Sequence, residues 1–220
     1  MGLRSLNRKI FYKRKISYYD LRAFARKVKP QGKTLIIYIE FKYDDIIFDY
    51  DILPHWEYET DRYYQALEEI PDNSYESIIC TGLLEHVTDP WRIVSECHRI
   101  LKPKGKAYFS ASAVFSVHRG PEDYYHLTQF GARHMFERLP WHHLDIRGSC
   151  GPFRTLGINC QRILLQCEVF FILRPFIEIM AWMLPLLDFF VMKQYQGRRF
   201  KKEHLIDTMM PSNIQIIATK

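Results

Sequence analysis

Three ionisable side chains within nine residues could move a proton, namely His118, Asp123 and His126. Histidine can take a proton from a hydroxyl or an amine because its pKa lies near neutrality, and a carboxylate can orient its ring. We therefore predict His118 as a general base, Asp123 as the residue that orients it, and His126 as the alternative base. Structural roles are also open at this point. Asp123 could cap a helix predicted over residues 128–139, and His118 could satisfy backbone groups of its loop.

The residues that precede this loop have the pattern of an α/β unit. The run 76–80 contains β-branched residues, as a buried parallel strand requires, and leads into Thr81 and Gly82, where small residues let the backbone approach a ligand. Residues 106–110 form the next predicted strand. This order predicts half of a doubly wound, Rossmann-like sheet, which binds ligands at the carboxyl ends of its strands.

A helix is predicted between these two strands. Asp89 can cap it, Pro90 suits its first turn, and the run 102–105 ends it with cations, a proline and a glycine. The apolar positions recur at helical spacing, as expected of a helix with one face on a sheet. These positions are Ile93, Val94, Cys97, Ile100 and Leu101.

The whole segment 71–105 resembles the class I S-adenosylmethionine-dependent methyltransferases. The match is strong over the middle third of the chain and weak in the flanks. It includes the triplet Leu84-Glu85-His86, in which family members mostly lock the loop onto neighbouring backbone. The other matching residues are Pro71 to Glu76, Asp89, Pro90, Glu96, Arg99 and Leu101 to Pro103.

The resemblance implies S-adenosylmethionine as cofactor and a set of residues to hold it. Two strands are predicted over 34–40 and 46–52. By resemblance, Glu40 corresponds to the acid that follows the first strand, and Asp51 to the acid that accepts hydrogen bonds from the ribose hydroxyls. Asp61 corresponds to the acid that approaches the adenine, with a strand-end turn residue as the structural alternative. The predicted floor of the site is Cys80, Thr81 and Gly82, and we expect no metal ion.

The first half of the expected cofactor site departs from the family. The glycine-rich turn is missing, and Lys42 and Tyr43 stand where side chains would crowd the ligand. Only about ten residues separate Glu40 from Asp51, against the roughly twenty of a complete strand-helix-strand unit. Three explanations are open: the first helix is trimmed, as we favour; cofactor binding is lost; or one strand is assigned wrongly.

The loop that carries the three ionisable residues has a resemblance of its own. Residues 118–128 are similar to a segment found in a methyltransferase subgroup associated with surface-glycan and other small-molecule pathways. His126 replaces an arginine of that segment. The matching residues are His118, Pro121, Asp123, Tyr124 and Thr128. The resemblance implies a small-molecule or glycan acceptor.

Composition and charge suggest one α/β domain with a basic extension. The 220 residues carry a net charge of +6, and the segment 1–33 has eleven basic residues against the single acid Asp20. We expect a basic, amphipathic N-terminal extension over 1–33 and a methyltransferase-like domain over 34–220. The extension either packs on the domain edge or contacts anionic lipid, and no nucleic-acid-binding module accompanies it. The five cysteines show no paired spacing, so we expect reduced core or near-core thiols and a cytoplasmic protein.

The C-terminal part should complete the sheet around an apolar insertion. Strands are predicted over 143–147 and 213–218, giving a mostly parallel sheet with an antiparallel edge strand. The insertion, about 158–192, is broken by Pro175 and Pro185 into short helices and is too interrupted by charge to cross a bilayer. It could be a lid, a homodimer face or a membrane contact, the last placing the protein at the inner face of the membrane.

The sequence thus predicts methyl transfer from S-adenosylmethionine to a small molecule or a surface-glycan intermediate. The alternative is a catalytically inactive methyltransferase-like fold that serves as an interaction or membrane-peripheral module.

Overall fold

The structure is a computed structural model of the 220-residue chain and describes residues 16–38, 47, 49–54, 56, 59–197 and 200–220. It divides into two compact units. Of the described residues, those within 25–113, 117–148 and 213–220 form the sheet unit, and those within 16–24, 114–116 and 149–212 form the helical unit.

The sheet unit contains a six-stranded sheet. Its strands are β1 (Thr34–Ile37), β2 (Tyr50–Leu53), β3 (Tyr75–Thr81), β4 (Leu101–Ser112), β5 (His143–Gly148) and β8 (Asn213–Thr219). Their order across the sheet is β2-β1-β3-β4-β8-β5. Strands β1 to β4 pair in parallel with one another, and β8 is antiparallel to both β4 and β5. The predicted mostly parallel α/β sheet is thereby confirmed, although its antiparallel strand lies one position inside the edge.

Three helices pack on this sheet, namely α2 (Asp61–Glu68), α3 (Pro90–Ile100) and α4 (Gln129–Phe136). Helix α3 confirms its prediction, since Asp89 accepts a hydrogen bond from the main-chain N of Arg92 and Pro90 lies in the first turn. Its predicted apolar positions are buried, among them Ile93 and Cys97. The core is formed by these helices and the strands β1, β3, β4 and β8.

The predicted turn at 102–105 falls within the pairing of β3 with β4. Tyr75 pairs with Leu101 and Ser77 pairs with Lys106, so the intervening residues of β4 bulge out of register. Lys104, rather than the glycine that follows it, has the positive φ, at 67°. Because of this bulge, β4 is continuous in its pairing although the basic segment 102–105 turns out of it.

The helical unit contains the start of α1 (Ile16–Val28), α5 (Pro152–Gln166), α6 (Arg174–Met183) and a 3₁₀ helix over Leu184–Phe190. Pro175 and Pro185 each lie in the first turn of a helix, as the sequence predicted for breakers that divide the insertion. The helices begin at Pro152, six residues before the predicted start of the insertion. A two-stranded ribbon follows, made of β6 (Gln194–Tyr195) and β7 (Leu205–Ile206), with a short 3₁₀ turn at Lys202–His204.

Within the described residues, no helix combines the length and the apolar character needed to cross a bilayer. All five cysteines are free thiols. Cys80 and Cys97 are buried as predicted, whereas Cys167 is exposed.

Candidate functional site

The carboxyl edge of the sheet is where β1, β3 and β4 end. Tyr38 follows β1 directly with a φ of 60°, and Gly82 follows β3 with a φ of 71°. A positive φ is readily adopted by glycine, which leaves the backbone uncovered at that point. The main-chain N of Gly82 donates a hydrogen bond to Ser110 O at 2.9 Å, which ties the end of β3 to β4.

The loop 117–128 lies across this edge because it is bonded to the ends of both strands. The main-chain N of Tyr124 donates to Glu85 O at 2.8 Å, and the main-chain N of Leu127 donates to Ser112 O at 2.8 Å. The predicted position of the loop over the carboxyl ends of two adjacent strands therefore agrees with the structure.

The three predicted acid-base residues are brought together in this loop. Nδ1 of His118 lies 3.5 Å from Oδ2 of Asp123, and Nε2 of His126 lies 3.3 Å from Oδ1 of the same carboxylate. The Asp123 side chain is 3% exposed, against 16% for His118 and 29% for His126. The carboxylate is thus enclosed, while both imidazoles remain within reach of a ligand.

Asp123 does not cap the following helix. The side chain of Thr128 accepts a hydrogen bond from Gly131 N at 3.0 Å and caps α4 instead. Asp123 accepts a hydrogen bond from the main-chain N of His118 at 2.8 Å, so it also fixes the loop backbone beside the imidazole. The capping alternative is therefore wrong, and an orienting role is compatible with the geometry.

Glu85 and His86 hold the loop in place, as expected for this triplet. Oε1 of Glu85 accepts hydrogen bonds from the main-chain N and the hydroxyl of Ser112. Nδ1 of His86 lies 2.5 Å from Glu122 O. Burial raises the pKa of Glu85 to about 7, although the two bonds from Ser112 act in the opposite direction.

The same residues form two sets that could hold a metal ion. In each set one ligand atom from every residue lies within 4.8 Å of the others. One set is Glu85, His86 and His118, and the other is His118, Asp123 and His126. The sets share His118, whose ring is edge-to-face with that of His86 at a centroid distance of 4.7 Å.

Sequence reasoning missed Tyr38 and Arg119, which meet at the same edge. Nη1 of Arg119 donates a hydrogen bond to the hydroxyl of Tyr38, and the guanidinium lies 5.1 Å from the centre of the Tyr38 ring. Nε and Nη2 of Arg119 are buried and have no hydrogen-bond partner within the described part of the chain. Burial lowers the pKa of Arg119. The position of Arg119 next to His118 in the sequence is the one signal that could have indicated that it belongs to the site.

Asp51 lies at the opposite edge of the sheet from the acid-base residues. It pairs in register with Leu35 near the amino end of β1, and its carboxylate contacts Lys33 Nζ at 2.9 Å and the Tyr75 hydroxyl at 2.7 Å. The bond from Lys33, followed by that from Tyr75, lowers the pKa of Asp51. Parallel strands share one direction, so these contacts keep Asp51 at the amino edge, away from the ligand edge.

The remaining predicted cofactor residues are distributed differently. Glu40, like Lys42 and Tyr43, lies outside the described residues, as does most of the segment in which a trimmed first helix was expected. Asp61 is exposed at the first turn of α2, two residues before Tyr63, whose ring centre is 6.4 Å from that of Tyr38. Asp61 is therefore on the side of the carboxyl edge.

Of the predicted floor, Gly82 is the residue best placed to approach a ligand. Cys80 is fully buried in the core, and burial raises the pKa of its thiol well above the ordinary value. Thr81 is also buried. The floor of the site is therefore provided by the backbone at the end of β3 rather than by these two side chains.

Comparison with known proteins shows what this chain is similar to. Residues 53–109 match the family model described as a methyltransferase domain. The ubiquinone biosynthesis O-methyltransferase of Pseudomonas paraeruginosa is 32% identical over 88 residues, which is 40% of this chain and 35% of that protein. The corresponding enzyme of Pseudomonas putida is 36% identical over 76 residues, or 34% of this chain and 30% of that protein. The chain thus spans about a third of the length of these curated relatives.

Two solved structures share the fold. The SAM-dependent methyltransferase of Archaeoglobus fulgidus has a TM-score of 0.53 and 13% identity over the full length of both chains. The phosphoethanolamine N-methyltransferase 2 of Haemonchus contortus, solved with S-adenosylhomocysteine, has a TM-score of 0.52 and 12% identity over 92% of this chain and 52% of that chain.

The sheet order and the loop over its carboxyl edge define a Rossmann-like methyltransferase fold. The family match to residues 53–109 and the similarity to the ubiquinone biosynthesis O-methyltransferases relate this part of the chain to the class I S-adenosylmethionine-dependent methyltransferases.

Proposed function

We propose that this protein transfers a methyl group from S-adenosylmethionine to a hydroxyl or amine of a small molecule or a surface-glycan intermediate. The observation that carries the proposal is the acid-base cluster. His118 and His126 flank one enclosed carboxylate, that of Asp123, at the edge where sheets of this kind bind ligands.

The described residues at this edge fit a cofactor of that chemistry. Gly82 leaves backbone uncovered at the end of β3, and Asp61 offers an exposed carboxylate for a hydroxyl or amino group. Arg119 offers buried N–H groups suited to a carboxylate. S-adenosylmethionine would supply a methyl group on a positively charged sulfur, which a nucleophile can displace directly.

The protein's own contribution would be alignment, exclusion of water and removal of one proton. His118 would take the proton from the acceptor, because its imidazole is partly accessible and is held by Asp123. His126, which is more exposed, would contact an edge of the acceptor or replace His118 as the base. Glu85 and His86 would act indirectly, since they anchor the loop that carries both histidines.

The second candidate function, a catalytically inactive interaction module, is favoured by one observation. Asp51, the acid expected to hold the ribose, is engaged at the amino edge of the sheet. Glu40 and the segment in which the family has its glycine-rich turn lie outside the described residues, so Asp51 is the departing residue whose position can be described. We also propose a cytoplasmic location, because all five cysteines are free thiols.

Calorimetric titration with S-adenosylmethionine and with S-adenosylhomocysteine separates the two functions. The enzyme requires binding of the cofactor, and we expect both compounds to bind the wild-type chain. Arg119→Gln is expected to weaken both, because it removes the charge that would face the carboxylate. A folded wild-type protein that binds neither compound would establish the interaction module as the better hypothesis.

A further inference from the structure

The outer surface of the helical unit is strongly apolar. Phe171, Phe176 and Met183 are exposed to 71%, 64% and 60%, and the exposed fractions rise to 88% for Phe189 and 94% for Met192. Exposed apolar patches of this kind on a soluble domain mark an interaction site, because water contact with so many large side chains is unfavourable.

The charged residues of the same helices form hydrogen bonds within the unit. Asp188 lies in the 3₁₀ helix, yet its carboxylate oxygens accept hydrogen bonds from the main-chain N of Phe153 and of Arg154, both at 2.9 Å. These N–H groups belong to the free amino end of α5, which favours an anion. A Cβ added to Gly151 would lie 2.4 Å from this carboxylate, which shows how closely Asp188 is packed.

The other two charged residues between positions 174 and 190 also form hydrogen bonds within the unit. Oε1 of Glu178 accepts hydrogen bonds from Gln161 Nε2 at 3.0 Å and from Trp182 Nε1 at 2.8 Å. Nη2 of Arg174 donates to Leu164 O at 3.0 Å. An ordinary surface helix exposes its charged side chains and buries its apolar face. In this segment the charged side chains make contacts within the unit, and the large apolar side chains are exposed.

Positive charge follows directly in the chain. Residues 189–202 contain five basic residues and no acid. Lys193, Lys201 and Lys202 are exposed, and of these Lys201 lies 3.5 Å from a carboxylate oxygen of Glu203. Phe200 is 83% exposed in the connection between β6 and β7, with its ring centre 5.2 Å from that of Tyr195. Large apolar side chains and cations thus alternate in one segment.

We propose that this surface of the helical unit, formed by α6, the 3₁₀ helix 184–190 and the described residues 191–197 and 200–204, docks into the interface of an anionic lipid bilayer. Its apolar side chains would enter the boundary of the acyl chains, and its lysines would contact the headgroups. Charge favours lipid over a second copy of the chain, because an isologous pair would bring two basic segments together. The proposal does not depend on the methyltransferase activity.

Vesicle sedimentation tests the proposal on the full-length chain. We expect binding to vesicles that contain phosphatidylglycerol, weaker binding to pure phosphatidylcholine, and release as salt is raised. Phe189→Ser with Phe190→Ser should lower the partition coefficient by about 10-fold or more for each ring removed. Lys201→Gln with Lys202→Gln should lower it by about fivefold for each charge, on the anionic vesicles alone.

Phe130→Ser is the matched control, because Phe130 is an exposed phenylalanine of the sheet unit, and it should bind vesicles like the wild type. Circular dichroism confirms that each variant is folded. Absence of binding to anionic vesicles at low salt would overturn the proposal. It would also be overturned if analytical ultracentrifugation showed a dimer that Phe189→Ser with Phe190→Ser dissociates while vesicle binding is unchanged.

Discussion

Nδ1 of His118 lies 3.5 Å from Oδ2 of Asp123, and the main-chain N of His118 donates a hydrogen bond to that same oxygen at 2.8 Å. One buried carboxylate thus fixes both the backbone and the ring of the histidine that we propose as the base. A catalytic base must come within hydrogen-bond reach of the proton that it removes, so this double constraint is the feature from which the catalytic predictions start.

The first prediction concerns the two histidines. His118→Ala should lower the turnover of methyl transfer by about 10²–10⁴-fold and leave the affinity for S-adenosylmethionine nearly unchanged, because only the proton transfer is affected. His126→Ala should have a smaller effect. Turnover is measured by the formation of S-adenosylhomocysteine and affinity by calorimetry. A large loss with His126→Ala and a small one with His118→Ala would exchange the two roles.

The second prediction compares two aspartates that the sequence assigned to the cofactor. Asp61→Ala should weaken binding of S-adenosylmethionine by about 10-fold or more, the effect of losing a hydrogen bond to a charged group. Asp51→Ala should leave that affinity unchanged, because its contacts with Lys33 and Tyr75 lie at the amino edge. Calorimetry with both variants distinguishes these expectations. Weaker binding by the Asp51 variant alone would show that Asp51, rather than Asp61, contacts the cofactor.

The third prediction follows from the raised pKa of Glu85. The pKa of Glu85 is about 7 in the folded protein, against an ordinary value of 4.5. Between these two pH values, the folded state therefore keeps a proton on Glu85 that the unfolded state has lost. The free energy of unfolding should therefore fall as pH rises from about 4.5 to about 7, by an amount on the order of 3 kcal/mol.

Glu85→Gln tests this assignment because glutamine resembles the protonated side chain and does not titrate. The variant should lose this part of the pH dependence and be more stable than the wild type above about pH 7. Urea unfolding at several pH values provides the measurement. An identical pH dependence in variant and wild type would show that Glu85 is not the titrating group.

The fourth prediction concerns the packing of α5 in the helical unit. A Cβ at Gly157 would lie 2.5 Å from the carbonyl oxygen of Ala181, a contact with backbone that cannot rotate away. Gly157→Ala should therefore cost about 1–3 kcal/mol of stability, despite the better helix propensity of alanine. Gly197→Ala is the control, since its Cβ would meet nothing within 4 Å. Thermal unfolding compares the two, and equal midpoints would contradict the predicted clash.

Much of the sheet unit could be predicted from the sequence because its signals are local. Helix α3 carries its own cap in Asp89, its first-turn proline and a repeating apolar face, so neighbouring residues specify both its start and its buried side. Strand β3 is similarly indicated by a short apolar, β-branched run. The proximity of His118, Asp123 and His126 also follows from short separations within one loop.

Residues that depend on strand register or on distant contacts could not be placed in this way. Asp51 was expected at the ligand edge, yet the pairing of Leu35 with Asp51 puts it near the amino end of β2, and a pattern of strand residues does not specify that register. Arg119 lies 81 residues from its hydrogen-bond partner Tyr38, and no local sequence pattern indicates a contact over that separation.

The sequence by itself determined the α/β class, the proximity of the three acid-base residues in one loop and the apolar character of the insertion, because composition, capping and periodicity depend on neighbouring residues. Only the tertiary structure decided which side of the insertion faces outward. Asp188 is drawn to the amino end of α5, 35 residues away from its bonded partner Phe153, and this leaves Phe189 and Phe190 exposed. The orientation depends on satisfying the free N–H groups of a helix that is distant in sequence, so it is settled only when the chain is packed.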